Sequence, residues 1–406
     1  MNKHLRLLLS AASALLAVCS SSAQTATLYG IGDLAGGTTS SEVRDVTKVG
    51  STLHAVGSSN DGNSTAVYWT SSGTLTALPD LVANTGGTTA IIASAITPDA
   101  AYIAGRAYNA SSGNTRQSAR FDTSNLSSAL NLGGPSAGSA VAISDNGNLL
   151  YGFASLSGVN RAYRYTVAGS AADAIGLLGG KTYNVMTARA ASSDGSIALG
   201  NASTNTSASG AGNQAFIYDN SGAGSVTAVG LLSGGTWNQS LALNDAGTLG
   251  LYAGDSTSYS TGSEAFLFNG TTTTTLGAPG AGLLPNIFGG MTNDGSVIAL
   301  SWFNASDDSS AGSFIYNSSG WHNFGTIASG SGANLTGWSD FSLFGISADG
   351  TLVWGSATHN GNTEGYIMEF SSGYLSSIPE PSTYAAFAGL AALGLAAWRR
   401  RKARAA

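Results

Sequence analysis

A turn signal that recurs about every 50 residues is the feature of this sequence that most constrains its fold. In five of its seven copies an aspartate stands one or two residues before the glycine, as in Asp194-Gly195. Such turns accept the positive φ angles that tight hairpins need, and a short apolar run follows each one. The signal therefore marks hairpins between β-strands. Its seven copies, spaced by 47 to 55 residues, lie at Gly50, Ala100, Gly147, Gly195, Gly247, Gly295 and Gly350.

A second signal has the same period, and it joins a small residue to a short aromatic or aliphatic run. Two independent signals with one period predict seven units of about 50 residues, each with four short strands. The apolar runs are continuous, which is typical of strands buried on both faces. The sequence predicts an all-β fold, a seven-bladed β-propeller over residues 24–376, with a right-handed β-helix as the alternative. The copies of the second signal are residues 66–69, 119–121, 162–165, 215–218, 265–268, 313–316 and 365–368.

The first strand is expected to close the ring. Residues 26–30 precede the first complete unit and can pair with the last blade, near residues 374–376. This pairing would remove the exposed sheet edges that invite aggregation.

The second signal resembles the extracellular HAF-type repeats, named for a His-Ala-Phe core. Gln214-Ala215-Phe216 and Glu264-Ala265-Phe266 come nearest to that core, with the histidine replaced in both. The resemblance implies an exported β-repeat domain and implies no known reaction.

The N-terminus has the pattern of an export signal. A short basic region precedes the apolar residues 7–18, a run too short to span a bilayer easily. Small residues follow at Ser21-Ser22-Ala23, so we predict a signal peptide over residues 1–23 that is cleaved after Ala23. A lipoprotein signal ending at Cys19, the only cysteine of the chain, is the rival interpretation.

The C-terminus, residues 377–406, combines three features in a fixed order. Pro379-Glu380-Pro381 comes first, then an apolar segment at residues 383–398, then a basic cluster within residues 399–404. The apolar segment predicts a transmembrane helix, and the cluster predicts a stop to transfer that keeps the end of the chain cytoplasmic. The basic residues of the cluster are Arg399, Arg400, Arg401, Lys402 and Arg404.

These three features together resemble the PEP-CTERM sorting signal. The resemblance implies export, a transient anchor in the inner membrane, and processing by an exosortase-type enzyme that recognises Pro379, Glu380 and Pro381. It also implies a final place at the cell surface or in the extracellular matrix, with exopolysaccharide as a candidate partner.

Charge and composition exclude several classes of function. The body of the chain, residues 24–378, carries 21 acids and 9 bases, a net charge of −12. Such a body should repel phosphate backbones, so nucleic acid is not an expected partner. One cysteine and three scattered histidines in the body predict no metal site, and no cofactor is expected.

Motifs for catalysis are weak. Residues 134–138 match the residue pattern of a nucleophile elbow but lie in a glycine-rich loop rather than between a strand and a helix. The recurring turns do not predict calcium sites, because one aspartate per turn does not supply the six to eight oxygens that calcium needs. The sequence does not identify two carboxylates at the short separation that a hydrolase with paired acids needs. We therefore expect a non-catalytic structural or interaction role, with a secreted hydrolase as one alternative.

Aromatic residues in loops support the other alternative, a carbohydrate-binding propeller. Tyr183 and Trp237 follow Gly-Gly doublets at equivalent places, and Trp338 lies in a long insertion, residues 328–341. Aromatic faces among Asn, Ser and Thr suit sugar rings, so these three residues are the candidate ligand contacts.

Overall fold

The fold is a ring of seven four-stranded antiparallel sheets, as predicted. The computed structural model describes residues 26–378 except 63, 82–90, 110–114, 136, 170, 205–211 and 260–261, and it also describes residue 394. In blades 1 to 6 the first strand in the chain is at one edge of the sheet, next to the central axis, and the others follow outward. In blade 7 the strand Trp338–Ile346 is innermost and the first strand of the chain is outermost. One short helix, α1 (Phe324–Gly330), and a 3-10 turn (Val167–Gly169) complete the described elements.

The strands are numbered in chain order. Blade 1 contains β2 (Ser41–Val49), β3 (Thr52–Asn60), β4 (Ser64–Thr70) and β5 (Leu75–Ala77); blade 2 contains β6 (Ile92–Ile96), β7 (Tyr102–Asn109), β8 (Thr115–Asp122) and β9 (Asn125–Asn131). Blade 3 contains β10 (Ser139–Ile143), β11 (Leu149–Leu156), β12 (Val159–Thr166) and β13 (Ala171–Ala174); blade 4 contains β14 (Tyr183–Ala191), β15 (Ile197–Ser203), β16 (Gln214–Asp219) and β17 (Ser225–Ala228). Blade 5 contains β18 (Asn238–Leu243), β19 (Gly250–Gly254), β20 (Glu264–Phe268) and β21 (Thr273–Gly277); blade 6 contains β22 (Leu283–Met291), β23 (Ile298–Asn304), β24 (Ser310–Asn317) and β25 (Gly320–Asn323). Blade 7 contains β26 (Trp338–Ile346), β27 (Leu352–His359), β28 (Asn362–Phe370) and, as its outermost strand, β1 (Ala26–Gly30).

Blade 7 closes the ring by combining both ends of the propeller. β1 pairs antiparallel with β28, from Ala26 opposite Phe370 to Gly30 opposite Tyr366. Closure by the first strand was expected, but the predicted partner, residues 374–376, is wrong. Those residues form turns and pack elsewhere, with Leu375 buried. Likewise, residues 338–341 of the expected insertion belong to β26.

The recurring turns join the innermost strand of each blade to the strand beside it. In blades 2, 4, 6 and 7 the aspartate binds the turn itself. In blade 4, Ser192 donates to Asp194 Oδ1, which also accepts the backbone N–H of Ser196. These hydrogen bonds hold the pKa of Asp194 below its usual value. We call the end of the ring that carries these turns the turn face, and the opposite end the loop face. The turn face consists of residues 47–51, 97–101, 144–148, 192–196, 244–248, 292–296 and 347–351.

A β-bulge in the innermost strand recurs around the ring. In blade 3 the register with β11 skips Val141, and the skipped residues of blades 1 and 7 are Arg44 and Phe344. A glycine on the second strand stands beside the bulge in four blades, Gly57, Gly105, Gly152 and Gly355, where an added Cβ would lie 1.9 to 2.4 Å from a carbonyl oxygen of the innermost strand. These glycines allow the backbones to approach closely at the bulge.

Replacing Gly152 is expected to destabilise the propeller. A Cβ at this position would lie 2.0 Å from the Ser139 carbonyl oxygen, so the Gly152→Ala variant must shift backbone and should lose about 1–3 kcal/mol of unfolding free energy. Gly176→Ala is the matched control, because no atom lies within 4 Å of its added Cβ. Urea denaturation measures the unfolding free energy of both variants. Equal stability of the two would refute the close approach.

Candidate functional site

A cavity of about 430 Å³ on the propeller axis is the candidate site, because the innermost strands of all seven blades contribute to its lining. It opens on the turn face, and its wall is formed by the last residues of the innermost strands. Ile96, Ile143, Leu243, Met291 and Ile346 are among the residues of this apolar wall. Because these residues end the innermost strands of five different blades, the cavity exists only when the ring is closed.

Arg189 forms part of the inner end of this cavity and connects four blades. It lies in an irregular stretch of β14 with a φ of 55°, a conformation that directs its side chain away from the regular ladder. From blade 4 its guanidinium donates to the carbonyl oxygens of Arg44 in blade 1 (2.8 Å), Gly289 in blade 6 (2.9 Å) and Phe344 in blade 7. One side chain therefore holds three other blades across the axis.

One aromatic ring lies beside this guanidinium, and two more lie beside that of Arg44. Arg189 lies 5.3 Å from the ring centroid of Trp354, and Trp354 Nε1 also donates to the Arg44 carbonyl. The Arg44 guanidinium stacks 4.3 Å from the centroid of Phe288 and pairs with Glu42 at 2.7 Å. Since cation–π contacts strengthen where water is excluded, this layer of rings and guanidinium groups stabilises the inner end of the cavity.

Asp45 is the acidic group of the same region. Its Oδ2 accepts the backbone N–H of Ile96 in the next blade at 2.9 Å. Loss of solvation raises the pKa of Asp45 from 3.8 to about 6, although the nearby Arg189 and the backbone hydrogen bonds act in the opposite direction. The cavity thus contains a carboxyl group that changes charge in weakly acidic solution.

The mouth of the cavity is a chain of linked turns. The backbone N–H of Asp145 donates to Ser193, that of Ser193 donates to Asp245, and that of Asn293 donates to Ala348. The carboxylate of Asp245 also accepts the side-chain amide of Asn293 at 2.6 Å. Desolvation raises the pKa of Asp145, and the neighbouring acids Asp245, Asp99 and Asp194 add to the effect.

Ionisation of Asp45 is expected to make stability depend on pH. The folded-state pKa is raised, so the contribution of Asp45 to stability is full only below the unfolded value of 3.8 and is lost as pH rises from there through about 6. An Asp45→Asn variant should match the wild type below about pH 3.8 and exceed it above pH 6 by up to about 3 kcal/mol, from 1.36 kcal/mol per pKa unit. Urea denaturation across this range measures the difference between the two proteins. A difference in unfolding free energy that stays constant across this pH range would contradict the prediction. Titration of Asp145 affects both proteins equally, because both retain that residue.

The structure places the three predicted aromatic contacts at the start of innermost strands, on the loop face. Tyr183 begins β14, Trp237 precedes β18, and Trp338 begins β26, so they belong to blades 4, 5 and 7. Tyr183 is buried, whereas Trp237 and Trp338 are half-buried. Trp338 stacks on His359 with ring centroids 4.1 Å apart and planes 6° from parallel.

Other candidate motifs have structural roles. Asp194 and Asp294 bind their own turns, and the described residues contain no group of three His, Cys, Asp or Glu side chains that could hold a metal ion. His359 pairs with Glu364 at 2.6 Å, and the other Glu364 oxygen accepts the backbone N–H of Gly32. This pair connects the last hairpin to the segment after β1.

Two asparagines that the sequence reasoning missed join neighbouring blades. Asn184 and Asn238 directly follow the equivalent residues Tyr183 and Trp237. Each accepts a backbone N–H from the third strand of the preceding blade, Ala162 at 2.9 Å and Ala215 at 2.7 Å. Each also donates to carbonyl groups of the loop before it. The Asn after the aromatic residue is the signal that could have identified them.

Comparison with known families identifies the tail. Residues 377–402 match the PEP-CTERM protein-sorting motif. The predicted sorting residues Pro379, Glu380 and Pro381 and the basic cluster at residues 399–404 lie outside the described residues, as does the predicted signal peptide. Within the described part of the chain, no helix has the length and apolar character to cross a membrane.

Comparison with solved structures confirms the fold. The β-propeller domain of the Trilobed protease from Pyrococcus furiosus is 11% identical, with a TM-score of 0.53 over 84% of this chain and 99% of that one. That domain has an open velcro topology by its description, whereas β1 closes the ring here. An oligogalacturonate lyase in complex with manganese is 12% identical, with a TM-score of 0.54 over 86% of this chain and 99% of that one. At such identities the likeness establishes the fold alone, and no curated protein sequence matches the chain.

Proposed function

We propose that this chain is an exported protein that the inner membrane holds through its C-terminal tail until an exosortase-type enzyme processes it near Pro379-Glu380-Pro381. The propeller then acts at the cell surface or in the extracellular matrix as a non-catalytic structural or interaction module. The match of residues 377–402 to the sorting motif, directly after the propeller, is the observation that carries this proposal.

The composition of the tail supports temporary anchoring. The apolar residues 383–398 favour the bilayer interior, and the five basic residues of the cluster follow at once. A charge at the membrane centre costs at least ~2.5 kcal/mol per residue, so the cluster resists transfer. The sorting residues then remain just outside the membrane, where an enzyme can reach them.

Neutralising the basic cluster tests this proposal. Replacing Arg399, Arg400, Arg401, Lys402 and Arg404 with Ser should weaken the stop to transfer, and uncleaved chain should reach the periplasm. A variant with Lys at all five positions keeps the charge and serves as the control. Mass spectrometry of the surface form of the wild type should find no peptide from Tyr384 onward. A surface form that retains Arg404 would make the tail a permanent anchor and refute processing.

Carbohydrate binding is the second candidate role, and the half-buried rings of Trp237 and Trp338 favour it. Trp338 also lines an open pocket with Phe341 and Asp340 on the loop face. An aromatic face beside polar groups suits a sugar ring. Extracted exopolysaccharide should then bind the wild type, and a Trp237→Ala/Trp338→Ala variant should lose that binding. Unchanged binding by a correctly folded double variant would remove this candidate.

A further inference from the structure

The segment between the last blade and the sorting motif is docked on the propeller. Leu375 is 1% exposed and belongs to the apolar core of blades 6 and 7. The Asn317 side chain donates to the Leu375 carbonyl at 3.0 Å, and the Ser319 hydroxyl donates to the Ile378 carbonyl at 3.2 Å. Tyr374 stacks on Phe370 with ring centroids 5.3 Å apart. The chain is therefore tied to the folded body as far as Ile378.

The docked segment lies on the turn face. Ser372 and Ser376 line a depression of about 330 Å³ together with turn residues of blades 6 and 7, among them Asp294 and Asp349. Ser319, which holds Ile378, belongs to the hairpin between β24 and β25, which is at the same end of blade 6. The chain thus leaves the propeller at the rim of the turn face under blade 6.

The distance from this exit to the predicted membrane segment is short. Four residues, 379–382, lie between Ile378 and residue 383, where the apolar segment begins, so five Cα-to-Cα steps join the two. A fully extended chain spans at most ~3.6 Å per step, so this connection reaches no more than about 18 Å. While the tail is inserted, the exit rim must lie within that distance of the membrane surface.

We infer that the turn face of the propeller, at its rim under blade 6, is the surface that lies against the inner membrane and meets the processing enzyme. This inference rests on the proposed anchoring of the tail. In this orientation the mouth of the axial cavity faces the membrane, because that mouth is on the turn face. The loop face, with Trp237 and Trp338, points away and stays open to partners during anchoring.

Single cysteines on the two ends of blade 6 test the orientation, since the chain has no cysteine after Cys19. Ser372→Cys lies on the exit rim, and the matched variant Ser306→Cys lies in the hairpin between β23 and β24 on the loop face. Both serines are exposed. In spheroplasts of a host without the processing enzyme, a maleimide that carries polyethylene glycol should label Ser372→Cys several-fold more slowly than Ser306→Cys.

Two controls isolate the cause of that protection. Detergent should equalise the two labelling rates, and so should a long Gly-Ser insertion between residues 378 and 379. Equal rates in intact spheroplasts, with the chain in the membrane fraction, would overturn the inference and leave the proposed anchoring standing. A chain found only in the soluble fraction would overturn the anchoring and the inference together.

Discussion

Replacing β1 with a Gly-Ser sequence of the same length is expected to lower the melting temperature strongly and to broaden the unfolding transition. β1 supplies the strand pairing on the outer edge of β28 from Tyr366 to Phe370 and joins residues about 340 positions apart in the chain. Its loss opens the ring between blades 7 and 1. It also removes the hydrogen bond from the Tyr29 hydroxyl to Glu369 (3.3 Å) and exposes the edge of β28.

The matched control is the same replacement of β17, the outermost strand of blade 4. β17 forms four residue pairs with β16, against five between β1 and β28, but it follows its partner directly in the chain. Removing it costs a similar number of hydrogen bonds and leaves the ring closed. Calorimetry should therefore find a much larger loss for the β1 variant. A similar loss in both variants would show that β1 acts only as one more strand.

The repeat could be predicted because local chemistry determines it. The turns of blades 2, 4, 6 and 7 satisfy their own polar groups through an aspartate, and those of blades 3 and 5 do so through an asparagine. Thr292, Asp294 and Gly295 illustrate this, since the Thr292 hydroxyl donates to Asp294 at 2.7 Å and Gly295 adopts a φ of 70°. Such a signal needs no information from distant residues. Seven copies with one period therefore predicted both the strands and the number of blades.

Contacts between distant blades could not be predicted in this way. The sequence favours pairing of residues 374–376 with β1, because it does not reveal that Leu375 is buried in the core of blades 6 and 7. The sequence also does not reveal that the ring of Tyr183 is buried while that of Trp237 is half-buried, although the two residues occupy equivalent positions. Each outcome depends on which neighbouring blade covers the side chain.

Arg189 shows the same limit at the candidate site. The sequence shows it only as the last basic residue before a long stretch without Lys or Arg. Its partners are carbonyl oxygens in blades 1, 6 and 7, which are 100 to 155 residues away. Backbone acceptors have no signature in a sequence. The central role of this side chain therefore emerges only when the ring is assembled.

Removing the Arg189 guanidinium is expected to cost about 3 kcal/mol of unfolding free energy or more. An Arg189→Met variant keeps much of the side-chain volume and deletes every donor, so the carbonyl groups of Gly289 and Phe344 lose the guanidinium and Asp45 loses its neighbouring positive charge. The Arg44 carbonyl also loses the guanidinium but keeps the donor Trp354 Nε1. Arg189→Lys should recover only part of the loss, because one ammonium group cannot reach three blades with the geometry of a planar guanidinium.

A second substitution separates the two causes of this loss. In the Arg189→Met/Asp45→Asn variant no uncompensated carboxylate remains, so it should be more stable than Arg189→Met above pH 6, and the two should converge below about pH 3.8, where Asp45 is protonated in the folded and the unfolded chain. The stability that the double variant still lacks then measures the cost of removing the guanidinium donor from the three carbonyl groups. The double-mutant cycle needs the unfolding free energies of the wild type, Arg189→Met, Asp45→Asn and the double variant. Urea denaturation at a pH above 6 and at a pH below 3.8 measures them. If Arg189→Met is as stable as the wild type at both pH values, the guanidinium does not hold the blades together, and the cavity must derive its shape from the packing of the innermost strands alone.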